Sequence, residues 1–234
     1  MWHAVLATIF HYFHFTMVLS QSIEDYLKTI YTLQSTGDRA STTQIADSLE
    51  VSSASATNMI KRLAKMGLVD YQSYKGSVLT KSGTKIALEI IRHHRLLELY
   101  LLEVMGYSWD EVHDEAEKLE HHISEQFEDK IAKLLDDPTH DPHGDPIPTK
   151  EGLMPEMETR SLTEADIDGI YLVSRVKDQD PEVLRYLEKI GLLPGIKIKI
   201  KEKAPFKGPV TLLVENEEQV IGHEVARHIF IAEI

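Results

Sequence analysis

The stretch LEVSSASATNMIKRLAKMGLV (49–69) predicts a tight turn at Val51–Ser53 and then a helix from Ala54 to Met66. Its apolar residues recur at helical spacing and therefore share one inward face. They are Ala56, Met59, Ile60 and Leu63. Gly67 ends the helix, because glycine adopts the left-handed conformation that commonly follows a last helical turn. The stretch therefore predicts one well-defined helix that follows a short turn.

The flanking sequence extends this pattern on both sides. Upstream, one helix is predicted from Ser22 to near Gly37 and a short second helix from Ser41. Downstream, residues 68–80 alternate apolar and polar around Gly76, which predicts a β-hairpin. Three helices followed by a hairpin are typical of a winged helix-turn-helix, placed here over residues 20–92. The alternative is that the same elements serve packing alone.

The rest of the chain changes from helical to β pattern. Long helices are predicted from Ser82 to about Met105 and from Trp109 to Leu135, within a helical dimerisation and metal-binding domain over residues 93–148. A segment rich in Pro, Gly and Asp, Asp136 to Met157, predicts a linker, with the domain linker itself at 149–161. Residues 162–234 predict an SH3-like small barrel. Its strands are Gly169–Val176, Lys197–Glu202, Val210–Val214, Gln219–Ile221 and Ile229–Ile231, with one helix at about Pro181–Ile190. The expected fold class is mainly α with a C-terminal all-β domain.

Composition limits the kind of metal site that the chain can hold. The 234 residues include no cysteine, which excludes disulfides, thiolate zinc sites and iron–sulfur clusters. The net charge of −13 is unevenly spread, with +2 over residues 20–92, −10 over 93–150 and −5 over 151–234. The first domain is therefore compatible with DNA, whereas the second is the most acidic part of the chain.

That acidic segment contains Glu117, Glu120 and His121. On a helix, positions i, i+3 and i+4 share a face, so the three side chains can converge on one divalent cation. The alternative is an acidic helix face that only contacts solvent.

The first nineteen residues, MWHAVLATIFHYFHFTMVL, are apolar and aromatic and contain no Asp, Glu, Lys or Arg. They include three histidines and no basic leader region, which makes them a poor membrane span or signal sequence. We interpret them as an extension of uncertain status and Met17 as the natural start. We expect that the protein does not bind a membrane and that it is cytoplasmic.

Five segments together resemble the diphtheria-toxin-repressor-like metal-dependent transcriptional regulators, in their manganese-responsive branch. The resemblance spans roughly residues 22–234 and rests on the order and spacing of the segments. They are SIEDYLKTIY (22–31), LEVSSASATNMIKRLAKMGLV (49–69), RHHRLLE (92–98), HDEAEKLEHHIS (113–124) and THDPHGDPIP (139–148).

The resemblance implies a regulatory metal site made of Asp25, His94, Glu117, Glu120 and His121. Iron-responsive members carry Met at the Asp25 position and Cys at the Glu117 position, whereas both are carboxylates here. Hard oxygen ligands with imidazole suit Mn²⁺ and also admit Fe²⁺, Co²⁺ or Zn²⁺. Manganese regulators carry a Glu where this chain has Lys28, which puts a close pair of cations in doubt.

The resemblance also suggests a second metal site. Its candidate ligands are Glu98, His113, Asp141, His143, Asp178 and Asp180. The alternative for residues 140–144 is a surface linker stiffened by Pro142.

For DNA, the positions that match the family's base-proximal residues lie at and beyond the start of the recognition helix. They are Ser52, Ala54, Ser55, Thr57 and Asn58. Small hydroxyl side chains would mostly contact phosphates, whereas Asn58 could read a base edge. The candidate phosphate contacts are Lys61, Arg62, Lys65 and Lys75, which could alternatively only solvate this face.

The sequence thus predicts a homodimeric, metal-activated repressor of metal-uptake genes that binds palindromic double-stranded operators. Three alternatives remain open at this stage: an iron-responsive regulator of the same family, a metal-dependent hydrolase, and a metal-buffering protein that never binds DNA.

Overall fold

A computed structural model describes residues 19–35, 37, 39–177 and 180–234. The described chain forms two compact units that divide between Leu79 and Thr80. The N-terminal extension lies outside the described residues except for Leu19, and so does the proposed start at Met17. No helix in the described part of the chain combines the length and the apolar character that crossing a bilayer needs.

The N-terminal unit contains three helices and a hairpin, which confirms the predicted winged helix-turn-helix. The helices are α1 (Gln21–Gln34), α2 (Thr42–Ser48) and α3 (Ser53–Lys65), and the strands are β1 (Val69–Gln72) and β2 (Gly76–Leu79). Helix α1 begins after Ser20 rather than at Ser22. Ser41 and Gln44 form a capping box at α2, which satisfies two otherwise unpaired backbone N–H groups. The hairpin pairs Val69 with Leu79 and Gln72 with Gly76.

The second unit begins with helices. Helix α4 runs from Lys81 to Tyr100 and continues as a π-helical turn, Leu101–Met105, which ends at the left-handed Gly106. The single helix predicted from Trp109 to Leu135 is wrong. It is two helices, α5 (Val112–Leu119) and α6 (Glu125–Leu134), separated by a turn at Glu120–Ser124. Ser124 starts α6 afresh, because its side chain accepts from the N–H of Phe127.

The segment after α6 is an ordered loop rather than an open linker. His140 and Pro146 form an isolated antiparallel bridge, and the Ile147 N–H donates to the Thr139 carbonyl. The Asp141 carboxylate accepts from the N–H groups of His143 and Asp145. These bonds fix the loop's conformation from within, so the prediction of a linker over Asp136–Met157 is wrong for this part.

The C-terminal part is one antiparallel six-stranded sheet in the order β3-β8-β4-β5-β6-β7, which confirms the predicted all-β domain. The strands are β3 (Arg160–Ser161), β4 (Ile170–Val176), β5 (Lys197–Lys203), β6 (Val210–Val214), β7 (Glu217–Ile221) and β8 (Ile229–Glu233). The chain between them includes a 3₁₀ turn (Leu162–Glu164) and helices α7 (Pro181–Lys189) and α8 (His223–Ala226). Alternating inward residues fill its core, as in the buried Val210, Leu212 and Val214 of β6.

Candidate metal centre

His94 lies between two groups of ligand-type side chains. One group is His94, Glu117 and Glu120, and the other is His94, Glu98 and His113. In each group the three ligand atoms lie within 4.8 Å of one another. The structure therefore brings together side chains from α4, α5 and the turn that follows α5.

The two nitrogens of the His94 ring face opposite groups. Nδ1 lies 2.6 Å from Glu120 Oε2 and 4.0 Å from Glu117 Oε1. Nε2 lies 2.9 Å from Glu98 Oε1 and 3.0 Å from His113 Nδ1. A neutral imidazole carries one lone pair and one N–H. His94 can therefore ligate a cation in one group while its other nitrogen donates to a carboxylate of the other.

The chain positions these groups by helical spacing and by burial. His94 and Glu98 are one turn apart on α4 and are 6% and 2% exposed. Glu120 is the C-cap residue of α5 and is 1% exposed, and His121 Nε2 lies 3.3 Å from Glu120 Oε1. Glu117 is more open, with 43% of its side chain exposed. A cation bound here would be partly shielded from solvent, and Glu117 would lie on its solvent-exposed side.

The lowered pKa of Glu98 favours the binding of a cation at this site. Burial by itself raises the pKa of Glu98, but the charge on His94 and hydrogen bonds with His113 and His94 lower it well below its usual range. Glu98 is therefore an anionic oxygen donor at neutral pH. Buried carboxylates that face imidazoles form a hard, mixed oxygen and nitrogen donor set, which fits a divalent cation such as Mn²⁺ or Fe²⁺.

The side chain of Asp141 is held by contacts within the loop after α6 and by Arg95. One of its oxygens accepts from two backbone N–H groups of the loop, and the other lies 3.5 Å from Arg95 Nε. Arg95 also donates to the Pro146 carbonyl. These contacts are enough to explain why a carboxylate occupies this position.

His143 is a different case, because it is 7% exposed and the described residues offer neither ring nitrogen a hydrogen-bond partner. Its ring lies against Trp109, with centroids 5.0 Å apart. Burial lowers the pKa of His143, which favours the neutral form that can ligate a metal. An unpartnered buried imidazole is costly unless something binds it.

The other two candidates for the second site are Asp180 and Asp178. Asp180 caps α7 by accepting from the N–H of Glu182 at 2.9 Å. Asp178 lies outside the described residues.

Asp25 lies on α1 of the N-terminal unit and is half-buried, as is Lys28 one turn later. Its role as a ligand remains a prediction from the sequence.

Most of the candidate DNA-contacting residues lie at the start of α3 or along it, and Lys75 lies in the turn of the hairpin. Ser52 caps the helix by accepting from the Ser55 N–H, and Thr57 Oγ1 donates to the Ser53 carbonyl. The exposed members of the predicted set are Ser52, Ala54, Ser55, Asn58, Lys61, Arg62, Lys65 and Lys75. The opposite face of α3 is buried and consists of Ala56, Ile60 and Leu63.

Sequence reasoning missed Tyr74 at the tip of the hairpin. Its side chain is fully exposed and its backbone has φ +63°, a conformation that is rare outside glycine. The signal available in the sequence was the turn SYKG (73–76), where an aromatic residue precedes Lys75 within the predicted turn.

Sequence reasoning also missed a cluster of charged side chains formed by Arg92, His93 and Glu128. Glu128 of α6 lies 2.5 Å from Arg92 Nε and 3.2 Å from His93 Nε2, and only 4% of its side chain is exposed. Burial by itself raises the pKa of Glu128, but hydrogen bonds and charge from His93 and Arg92 lower it to about 2.

Acidification is expected to destabilise the protein through Glu128. A carboxyl group whose folded pKa is depressed stabilises the fold fully above its unfolded pKa, here 4.5. About 3 kcal/mol of this stabilisation is lost as pH falls from there toward 2. Urea unfolding across this range should show a shallower pH dependence for Glu128→Gln than for wild type. Glu125→Gln, exposed on the same helix, should match wild type, and equal slopes for all three proteins would contradict the assignment.

Family models match the chain in three successive parts. The N-terminal DNA-binding domain of iron-dependent repressors matches residues 18–77, and their metal-binding and dimerisation domain matches residues 80–149. The FeoA domain matches residues 160–233.

Individual proteins match over much of the chain as well. The iron-dependent repressor IdeR of Mycobacterium tuberculosis (strain ATCC 25618 / H37Rv) is 30% identical over 240 residues, covering 92% of this chain and 99% of that protein. The HTH-type transcriptional regulator MntR of Oceanobacillus iheyensis is 38% identical over 114 residues, covering 49% of this chain and 77% of that protein. A solved manganese-dependent transcriptional repressor in complex with manganese is 36% identical with a TM-score of 0.83, covering 91% of this chain and 100% of that one.

Proposed function

The chain belongs to the iron-dependent repressor family, and from that premise we propose that Mn²⁺ activates it to repress metal-uptake genes from palindromic operators. It is a metal-dependent DNA-binding repressor, and the family is one of transcriptional regulators rather than enzymes. The hydrolase alternative is therefore wrong. Its DNA-binding and dimerisation domains make duplex DNA and a second copy of the chain its partners. A cytoplasmic location follows from this proposed role.

The observation that carries the proposal is the convergence of His94, Glu117 and Glu120. We assign the regulatory cation to His94, Glu117, Glu120 and His121. Carboxylates hold hard cations such as Mn²⁺, and no cysteine is present to favour softer ones. When bound, the cation supplies positive charge that draws these ligands together.

We assign Asp25 to the same cation on the strength of the sequence resemblance alone. A cation that α1 and α5 ligate together would link metal binding to the DNA-binding helices, so metal and operator would raise each other's affinity. Lys28 cannot ligate while it is charged, which favours a single cation at this centre.

The second site in this proposal is built from Glu98 and His113. His143 is a further ligand candidate because both of its nitrogens are buried without partners among the described residues. His94 has one lone pair to give, so as a ligand of the regulatory cation it would act in this second site as a hydrogen-bond donor to Glu98. Asp141, Asp178 and Asp180 complete the predicted set on sequence grounds.

The exposed face of α3 supports DNA recognition through a major groove. Asn58 is the candidate for reading a base edge, whereas the hydroxyl groups at the start of α3 would contact phosphates. Lys61, Arg62 and Lys65 of α3 supply positive charge. Lys75 supplies it in the turn of the hairpin, next to Tyr74.

The test is operator binding with and without metal. Duplexes selected from a random library by the full chain in Mn²⁺ should be palindromic. Fluorescence anisotropy should then show tight binding in Mn²⁺ and at least about tenfold weaker binding in EDTA, within the usual range of allosteric coupling. Equal binding in EDTA would remove the metal-dependent mechanism, and stronger activation by anaerobic Fe²⁺ at matched free concentration would identify an iron-responsive regulator.

Two double variants separate regulation from metal buffering. Lys61→Gln with Arg62→Gln should keep Mn²⁺ binding and lose operator affinity, with a shallower salt dependence because fewer counterions are released. Lys130→Gln with Lys133→Gln changes the charge equally at exposed positions of α6 and should bind DNA like wild type. Unchanged operator binding in the first variant would contradict the assignment of this face.

A further inference from the structure

His93 of α4 holds the main chain of a proposed metal ligand. Helix α5 ends at Leu119, so the carbonyl groups of its last residues have no helical N–H to accept from. His93 Nδ1 lies 3.2 Å from the carbonyl oxygen of Glu120, the C-cap residue. A hydrogen-bond donor at this place supplies the partner that the end of the helix lacks.

The same ring reaches the next helix through its other nitrogen. His93 Nε2 lies 3.2 Å from Glu128 Oε2, which belongs to the first turn of α6. One buried imidazole thus joins the end of α5 to the start of α6. The short turn between them carries Glu120 and His121, and turns of this kind otherwise move more freely than the helices they connect.

Glu128 is itself fixed, which makes the connection rigid. Arg92 Nε lies 2.5 Å from Glu128 Oε1, and the other end of the guanidinium donates to the Pro148 carbonyl at 2.8 Å. Arg92 and His93 are neighbours on α4, so both partners of Glu128 come from one rigid helix. His94, the next residue on that helix, meets the side chain of Glu120.

We propose that His93 is a positioning residue of the regulatory metal centre, which holds the Glu120 main chain so that its carboxylate faces His94. The inference rests on the proposed metal-binding function. The Glu120 carboxylate and carbonyl are both held from α4, through consecutive residues, so losing the bond to His93 would free the backbone while leaving every ligand in the chain. Partners that orient ligands without ligating typically change metal affinity by about 10- to 100-fold.

The test uses two substitutions that each keep one nitrogen of the ring. Asn places its amide nitrogen near the position of Nδ1, so His93→Asn retains a donor for the Glu120 carbonyl. Gln places its amide nitrogen near Nε2, so His93→Gln retains only the contact with Glu128. We expect His93→Gln to weaken Mn²⁺ binding by about 10-fold or more, and His93→Asn to stay closer to wild type.

The measurement is Mn²⁺ affinity of the full chain at one fixed pH, from the electron paramagnetic resonance of free Mn²⁺, with the Co²⁺ absorption spectrum as a report on ligand geometry. Urea unfolding of the metal-free proteins measures the structural contribution separately. His122→Gln is the matched control, because it changes an exposed histidine in the same turn and should bind Mn²⁺ like wild type.

Three results would overturn the inference. The first is wild-type affinity in both His93 variants, and the second is an equal loss in both that follows their loss of folding stability. The third is a wild type that binds no Mn²⁺, which would overturn the proposed function as well. A larger loss in His93→Gln than in His93→Asn, with similar unfolding free energies, would support it.

Discussion

Glu120→Gln is expected to abolish metal-dependent operator binding while the protein stays folded. The substitution keeps the size of the side chain and an oxygen that can accept from His94 Nδ1, which lies 2.6 Å from Glu120 Oε2. It removes the negative charge that the proposed cation needs. Because changing a residue that only orients a ligand typically costs 10- to 100-fold in affinity, losing the anionic ligand should lower Mn²⁺ affinity by about 100-fold or more.

The measurement pairs Mn²⁺ binding with operator binding and with thermal unfolding of the metal-free protein. Glu115→Gln is the matched control. It removes the same charge from α5, at a residue whose carboxylate pairs with the exposed Lys118 at 3.1 Å. Glu115→Gln should keep the metal response. A Glu120→Gln variant that still needs Mn²⁺ to bind DNA, with unchanged affinity, would show that the regulatory cation is held elsewhere.

The winged helix could be predicted because its signals are local. The helix-ending Gly67, the capping side chains and the alternation around Gly76 act within a few residues of where they stand. The inward face of α3 follows from the spacing of Ala56, Ile60 and Leu63, all of which are buried. Such features need no knowledge of distant parts of the chain.

The break between α5 and α6 could not be predicted in this way. Residues 113–135 contain no Gly or Pro, and the N-cap Ser124 is a helix-start signal with no matching stop signal before it. Tertiary contacts stabilise the break, since the two ring nitrogens of His93 on α4 each lie 3.2 Å from an oxygen, one from the Glu120 carbonyl oxygen and the other from Glu128 Oε2. The local pattern therefore predicted ligand-type side chains that the structure does bring close together, but it predicted the wrong backbone between them.

The candidate site was likewise predictable only where its signals are local. The spacing of Glu117, Glu120 and His121 was legible in the sequence, and so was that of His94 and Glu98. That one ring serves both groups, with Nδ1 toward Glu120 and Nε2 toward Glu98, depends on how α4 packs against α5. Spacing within a helix cannot give that packing.

The loop after α6 packs against the β domain, and Gly144 lies at its closest approach. It has φ +86°, and a Cβ atom built there would lie 2.0 Å from the Ser174 carbonyl oxygen and 2.9 Å from the Arg175 Cα. On either side, the Val176 N–H donates to the His143 carbonyl and Trp109 Nε1 donates to the Pro142 carbonyl. Composition predicted a linker here, but the segment instead makes a close contact with β4.

Gly144→Ala is therefore expected to separate this loop from β4. The clash is with backbone atoms, which cannot rotate away as a side chain could, so the cost should reach or exceed the usual 1–3 kcal/mol of overpacking. Gly152→Ala is the matched control. Its φ of +78° imposes similar backbone strain, but the nearest atom to its Cβ is Lys85 Cγ at 3.5 Å, so this variant should lose only about 1 kcal/mol.

Urea unfolding gives the free energies, and hydrogen exchange at the Val176 N–H reports on the contact itself, since that group donates to the His143 carbonyl. We expect fast exchange at Val176 in Gly144→Ala and slow exchange in Gly152→Ala. Because His143 is also the candidate that the loop would bring to the second metal site, Gly144→Ala should weaken binding there while the Glu120 centre keeps its affinity. Equal stability and equal Val176 exchange in the two variants would mean that the loop can shift to admit a methyl group, and that Gly144 is needed only for its backbone conformation.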